Sequence, residues 1–382
     1  MSHVSTIFSQ ILKFVPRHEF TSMEKEHDRP RRKGAMTRWT QFVAMSAAQL
    51  TGRSSLRDIE STLSRQEHLK YHLGNSSVKK STLSRANQTL TADFFQSLFG
   101  KLYVRCQQAS PTHKFRFKRK LFSLDASLLD VSLKVFPNAD YNKMKAAYKL
   151  HLGLDHDGLI PAFAAVTVGK VGDQTAAKAM IFPKGSVVVF DKGYSSYEWH
   201  NSLTNKGIFW VTRIRGNAKY KVTERRKANK QQGVTSDQTI VYTSDRSSKH
   251  DLQSVRRIGY TDKETGKHYV FITNHFDWSA KTIAEIYKQR WQVELFFKWI
   301  KQNLKIKAFL GNTDNAVMTQ VMIALCMYLI LSFIKFQSRI GQSLQQMIRL
   351  IQTNLFGRRS LIELFQPPPE INQPSPQMRF TL

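Results

Sequence analysis

Val187-Val188-Val189-Phe190-Asp191-Lys192-Gly193-Tyr194 sets four apolar residues, three of them β-branched, against an acid and a turn. An apolar run that does not alternate marks a strand buried on both faces, the kind found in sheets covered by helices on each side. Asp191 then stands at the strand's C-terminal edge, where ligands of open α/β sheets gather. Upstream, residues 121–133, 147–155 and 160–169 are strand-like, and Asp155-His156-Asp157-Gly158 joins the last two as a hairpin. A helix over 174–182, a helix after the 187–191 strand and a strand over 208–214 complete a βββαβαβ series.

Farther out the pattern changes. Strand-like pieces at 220–223, 239–243, 255–260 and 269–273 read as a β-rich insertion. Helical periodicity returns over 281–304. Residues 321–334 are apolar except for Ser332, too short a run to span a bilayer, and read as a buried core helix. Pro367, Pro368, Pro369, Pro374 and Pro376 mark a disordered tail. Residues 1–110 carry helical periodicity, as in Phe42, Met45, Leu50 and Phe94, Phe95, Leu98, Leu102. Helices over 54–63 and 78–90, separated by Gly74, Asn75 and Ser76, suggest a helix-turn-helix-like layout. The second offers Lys79, Lys80, Arg85 and Asn87 to phosphates and base edges, or is a solvated helix face. Lys114, Arg116, Lys118, Arg119 and Lys120 alternate with Phe115 and Phe117, as a basic linker or an edge strand would.

The chain has 382 residues, with 58 Lys and Arg against 28 Asp and Glu, a net charge of +30. Such excess points to a polyanionic partner, and its spread along the chain favours nucleic acid over a membrane surface. Cys106 and Cys326 are the two cysteines, and no Cys/His cluster has zinc spacing. A reducing compartment is expected. The first 20 residues do not read as a signal peptide.

Three acids carry the candidate chemistry. Asp125 lies within a strand, in Phe-Ser-Leu-Asp-Ala-Ser, where an unpaired carboxylate is costly. Asp191 ends the buried strand. For Glu294, about 100° per residue places Ile286, Val293, Phe297, Ile300 and Leu304 in one stripe about 60° wide, and Tyr287, Arg290, Glu294 and Lys301 in a second about 80° away. That row of charge beside the core is partly buried; an Arg290–Glu294 ion pair explains its spacing but not its burial. Converging carboxylates suit hard divalent ions.

Taken together, these residues resemble the bacterial insertion-sequence DDE transposases of the insertion-sequence-four type. The resemblance rests on Leu124-Asp125, on 189–194, and on the signature Tyr287, Arg290, Glu294, Lys301, whose spacing is met at every position. It implies an α/β fold with an RNase H-like mixed sheet, a β-rich insertion before the last catalytic helix and an all-helical N-terminal domain. The expected divisions are a DNA-binding domain at 1–112, the core at 113–215, the insertion at 216–276, the rest of the core at 277–350 and the tail at 351–382. It further implies that Asp125, Asp191 and Glu294 hold two Mg²⁺ ions, with Mn²⁺ able to substitute. Tyr287, Arg290 and Lys301, with Lys298 beside them, would contact DNA phosphate. Tyr269, with Trp278 as runner-up, would hold a flipped base. The implied activity is cut-and-paste transposition, with the element's terminal inverted repeats and target DNA as partners, a dimer on DNA, and a cytoplasmic, nucleoid-associated location. An RNase H-like nuclease or resolvase without strand transfer, and an inactive transposase-derived DNA-binding protein, are the alternatives.

Overall fold

Residues 5–28, 35–66, 68, 70–74, 77–130, 147–168, 172–194, 196–243, 253–306 and 308–366 are described by a computed structural model of the chain. Among them, nine strands form one sheet: β1 Leu121–Asp130, β2 Ala147–Asp155, β3 Ile160–Val168, β4 Val187–Phe190, β5 Phe209–Arg213, β6 Tyr220–Arg226, β7 Val234–Tyr242, β8 Val255–Thr261 and β9 His268–Thr273. Their order is β3-β2-β1-β4-β5-β9-β8-β7-β6. β1, β4 and β5 run parallel, and the other pairs are antiparallel.

The described α-helices are α1 Ile7–Leu12, α2 Arg17–His27, α3 Arg38–Thr51, α4 Leu56–Ser64, α5 Lys70–Leu73, α6 Lys80–Thr89, α7 Asp93–Ala109, α8 Asp173–Lys178, α9 Tyr197–Asn205, α10 Ala280–Lys288, α11 Trp291–Asn303, α12 Asp314–Gln337 and α13 Leu344–Asn354. Every residue of β4 is buried. Phe122, Leu124, Val188 and Phe190 face one apolar layer with Ala177 of α8 and Trp199 of α9. Leu121, Val187, Val189 and Val211 face another with Ile283 and Ile286 of α10. The alternation of a pleated strand thus serves two cores, which is why β4 reads as unbroken hydrophobicity.

The hairpin expected at 155–158 joins β2 to β3. Asp155 Oδ1 accepts from the Asp157 N–H at 2.9 Å, and both Gly158 and Leu159 take positive φ. Strands β6 to β9 do not form a separate sheet. β9 pairs with β5, Val211 opposite Thr273, so these four strands extend the central sheet.

Several expectations need correction. The helix over 281–304 is two: Arg290 N–H bonds to Tyr287 and Val293 N–H to Arg290, a tightening to i−3 that breaks the ladder without proline. The helix over 174–182 closes at Lys178. Residues 114–120 form no strand. Residues 65–79 separate α4 from α6 and contain α5, too long a connection for the 3–4-residue turn of a helix-turn-helix. Asn87 faces inward, where its Oδ1 accepts from Gln41 Nε2 at 2.9 Å. The proline tail, Asn75, Ser76 and residues 131–133 and 169 lie outside the described residues.

The buried helix expected at 321–334 is the middle of α12. By length and composition α12 could cross a membrane, yet 89% of its apolar window lies inside the protein. It shares one core with Phe8, Phe42, Phe94 and Phe95 of the preceding helices and with Leu150 and Leu152 of β2, so a helix apolar on all sides is accounted for.

Phe190 is fully buried between α9 and the sheet. Phe190→Ala is expected to cost about 3–5 kcal/mol in denaturant unfolding. A loss below about 1 kcal/mol would show that this layer does not hold β4 in place.

Candidate active site

Register does the first part of the assembly. Leu124 pairs with Phe190, and Val189 with Val211, so one step and two steps further on Asp125, Asp191 and Arg213 line up in one row, midway along β1 and at the C-terminal ends of β4 and β5. Residues in register on neighbouring strands point to the same face, about 4.8 Å apart. That face is the α10–α11 side, because Leu121, Val187, Val189 and Val211 on the same alternation pack against α10.

Glu294 enters from the first turn of α11. Arg290 Nη2 lies 2.6 Å from Glu294 Oε1, and Arg290 Nη1 lies 3.9 Å from Asp125 Oδ2. Arg213 Nη2 donates to Asp191 Oδ1 at 2.7 Å, and the Tyr287 hydroxyl donates to the same oxygen at 3.3 Å. Both guanidinium carbons stand over the Tyr287 ring, Arg290 at 5.8 Å and Arg213 at 5.9 Å from its centroid. Farther along α11, Lys301 Nζ donates to Ser127 Oγ and to the Leu128 carbonyl, each at 2.7 Å, fixing the helix to the far part of β1.

Asp125 and Glu294 therefore share Arg290, Asp191 is held by Arg213 and Tyr287, and Lys301 is anchored on the same strand as Asp125. Lys298 is exposed on α11. Lys79, Lys80 and Arg85 are exposed on α6, whose packing partners include α3, α4 and α12. Tyr269 stacks on Phe271 and lines a cavity of about 640 Å³ that also reaches Arg213, Tyr287, Arg290 and Trp291. Trp278 is held elsewhere, stacked between Phe117 and His275. Sequence reasoning missed Arg213. Its signal was present: like Asp191 it closes an apolar strand, Phe209-Trp210-Val211-Thr212-Arg213.

Burial pushes the Asp125 carboxyl up to about 6, and the charges of Glu294 and Asp191 add to it against the Ala126 N–H and Arg290. Burial acts on Asp191 too, but the Arg213 hydrogen bond, the Lys192 N–H and the charges of Arg213 and Arg290 outweigh it and hold this carboxyl below its usual range. Among the described residues, no three His, Cys, Asp or Glu side chains stand close enough together to hold a metal ion. The donor set is nevertheless three hard carboxylates, the chemistry that Mg²⁺ or Mn²⁺ accepts. In this structure two guanidinium groups supply the positive charge among them.

The fold and site together define an α/β protein that sets acids and arginines in one row across adjacent parallel strands. The chain belongs to the DDE-domain transposases of bacterial insertion sequences, since residues 116–330 match the family described as transposase DDE domain. Residues 3–76 match a domain of unknown function, DUF4372. The putative transposase y4zB of Sinorhizobium fredii is 34% identical over 225 residues, covering 58% of this chain and 63% of that protein. A probable transposase for insertion sequence element IS5377 of Geobacillus stearothermophilus is 26% identical over 260 residues, 68% of each chain. A putative transposase for insertion sequence element IS4SA of Synechocystis sp. is 22% identical over 309 residues, 80% of this chain and 86% of the relative.

Two outcomes follow for the metal-free protein. The folded Asp125 keeps its proton up to about pH 6 while the unfolded residue loses it near 3.8, so the folded state binds more protons in between and stability falls as pH rises through that window. Asp125→Asn should therefore stabilise the protein above pH 6, by about 3 kcal/mol at most, with the gap closing below about pH 4. Thermal unfolding in chelator at pH 4 and 7 reads it, and equal differences at both would contradict the burial argument. Arg290→Ala should cost the DNA-free protein about 1–2 kcal/mol, because two carboxylates lose their shared cation. Arg290→Lys should recover part of that, lacking the planar fork. An unchanged melting temperature would assign Arg290 to substrate alone.

Proposed function

We propose that this chain is a DNA transposase of the insertion-sequence-four type that binds the terminal inverted repeats of its own element, cuts DNA strands and joins them to a target. The observation carrying the reading is the register-built row of Asp125 and Asp191 with Glu294 brought to it by α11. The strand order β3-β2-β1-β4-β5, antiparallel then parallel, supports an RNase H-like core, with β6 to β9 as its insertion. The domain division proposed is 1–112, 113–215, 216–276, 277–350 and 351–382. A relative named for IS4SA is in keeping with the subtype.

Asp125, Asp191 and Glu294 are the residues that would hold divalent ions, Mg²⁺ by preference with Mn²⁺ as substitute. When bound, two such ions supply positive charge to the attacking and leaving oxygens of an in-line displacement at phosphorus. The rest is done by the chain. Arg290 and Arg213 neutralise the carboxylates until DNA arrives, and Arg290 then turns its fork to a phosphate at the scissile end, with Tyr287, Lys298 and Lys301 beside it. Asp191, ionised throughout, keeps Arg213 aligned. Tyr269, on the wall of the neighbouring cavity, stacks on a base flipped out of the duplex. Exposed Lys79, Lys80 and Arg85 on α6 serve recognition of the repeats. Pairing two element ends calls for a dimer on DNA, working in the cytoplasm at the nucleoid.

Asp125→Ala, Asp191→Ala and Glu294→Ala are each expected to abolish strand cleavage while end binding stays within about threefold, since affinity for DNA rests on the cations. Nicking and gel-shift assays on the same proteins test this. Full cleavage by any one variant removes that acid from the site. Cleavage by the native protein with no joined product would assign the nuclease reading instead.

A further inference from the structure

The far edge of the sheet carries a second concentration of charge. At the N-terminal ends of β1, β4 and β5, the segment 113–119 and the turns at 183–186 and 204–207 lie against one another. The Gly185 N–H bonds to the Gly207 carbonyl at 2.8 Å, the Val187 N–H to Lys120 O at 2.8 Å, and Arg119 Nη1 to the Gly185 carbonyl at 3.3 Å. The Lys184 stem would touch a Cβ placed on Gly207 at 3.2 Å.

Within 113–119 the alternation of residue types becomes an alternation of environment. Phe115 and Phe117 are half-buried and stack on each other with centroids 5.1 Å apart; Phe117 stacks on Trp278 at 4.4 Å, and Trp278 on His275 at 3.8 Å. Lys114, Arg116, Lys118 and Arg119 between and after them are exposed, as are Lys184 and Lys206 on the adjoining turns. Arg119 is further held over the Phe209 ring at 4.8 Å. Asp155 and Asp157 do not neutralise this row, because both turn onto Lys120 at 2.9 and 2.6 Å; Asp277 is the exposed acid beside His275.

We infer that this edge is a second DNA-binding surface, on which Lys114, Arg116, Lys118, Arg119, Lys184 and Lys206 grip the phosphate backbone of duplex DNA away from the cleavage point. Charge complementarity selects a polyanion. The aromatic rings favour the duplex: Phe117 is stacked between Phe115 and Trp278, so it is not offered to the unstacked bases of a single strand. From Val187 to Asp191 is four strand residues, about 13 Å, so no one phosphate reaches both the acid row and this edge. The rings anchor the segment to the loop 274–279, which holds the cations in fixed positions instead of on a free linker.

The inference rests on the reading of the chain as a DNA enzyme, and one experiment separates the two. Duplex binding is measured by fluorescence anisotropy between about 50 and 200 mM salt for the native protein, for Lys114→Gln/Arg116→Gln/Lys118→Gln, and for Lys184→Gln/Lys206→Gln, with a single-stranded oligonucleotide of equal length as second probe. The slope of log K against log salt should shrink by about 0.9 for each phosphate left without its cation, hence by about 2–3 in the first variant and 1–2 in the second, at unchanged melting temperature. Duplex affinity should fall more than single-strand affinity. A native slope kept by both variants overturns this surface and leaves the transposase reading standing. Loss confined to the single strand also overturns it. A native protein with no salt dependence would sink both.

Discussion

Burying carboxylates beside the core is costly, and the site is arranged around the compensation of that cost by two guanidinium groups. Arg290 reaches both Glu294 and Asp125, and Arg213 takes Asp191. The compensation is unequal. Asp191 has a close charged hydrogen bond that holds its carboxyl below the usual range, whereas burial pushes Asp125 toward the protonated form, with its cation 3.9 Å away. Side-chain cations thus supply the positive charge among these carboxylates, and guanidinium groups also suit a phosphodiester.

Holding α10 and α11 over this site requires support from elements far away in sequence. Arg256 of β8, almost wholly buried, donates from Nε and Nη2 to Asp237 of β7 at 2.9 and 2.6 Å, and from Nη1 to the carbonyls of Phe276 and Trp278 at 2.9 and 2.5 Å. One guanidinium thereby satisfies a buried carboxylate and two carbonyls of the loop that starts α10, an arrangement a lysine could not reproduce. Strands β7 and β8 are therefore tied to the helix that presents Tyr287. At the other end of the molecule, Leu150 and Leu152 of β2 share a core with α12 and the preceding helices, so the strand beside Asp125 is backed by that mass.

Much of the site could be read directly. Asp125 was legible because a lone carboxylate in a strand core is anomalous, Asp191 because it closes an apolar run, and Glu294 because it shares a helical stripe with Tyr287, Arg290 and Lys301. Strand boundaries for β2 were legible to the residue, since apolar alternation runs along it and a hairpin turn closes its C-terminal end. Less legible were β6 and β7, which the structure extends to Arg226 and back to Val234. Their polar residues find partners across strands, Arg226 Nη2 donating to Thr239 Oγ1 and Thr239 Oγ1 donating to Glu224 Oε2, and no local pattern announces a partner that another strand supplies.

The sequence by itself determined where strands, helices and the three acids stand along the chain, because burial on one face or two leaves a period of 2, of 3.6 or an unbroken run. Only the tertiary structure decided that Asp125, Asp191 and Arg213 share one row, since that depends on which residue of β1 lies against which of β4 and β5. It also decided that α10 and α11 are separate, that Asn87 faces inward toward Gln41, and that Phe117 stacks between Phe115 and Trp278. Each is a choice among partners distant in sequence, made by packing and hydrogen-bond satisfaction that no stretch of residues contains alone.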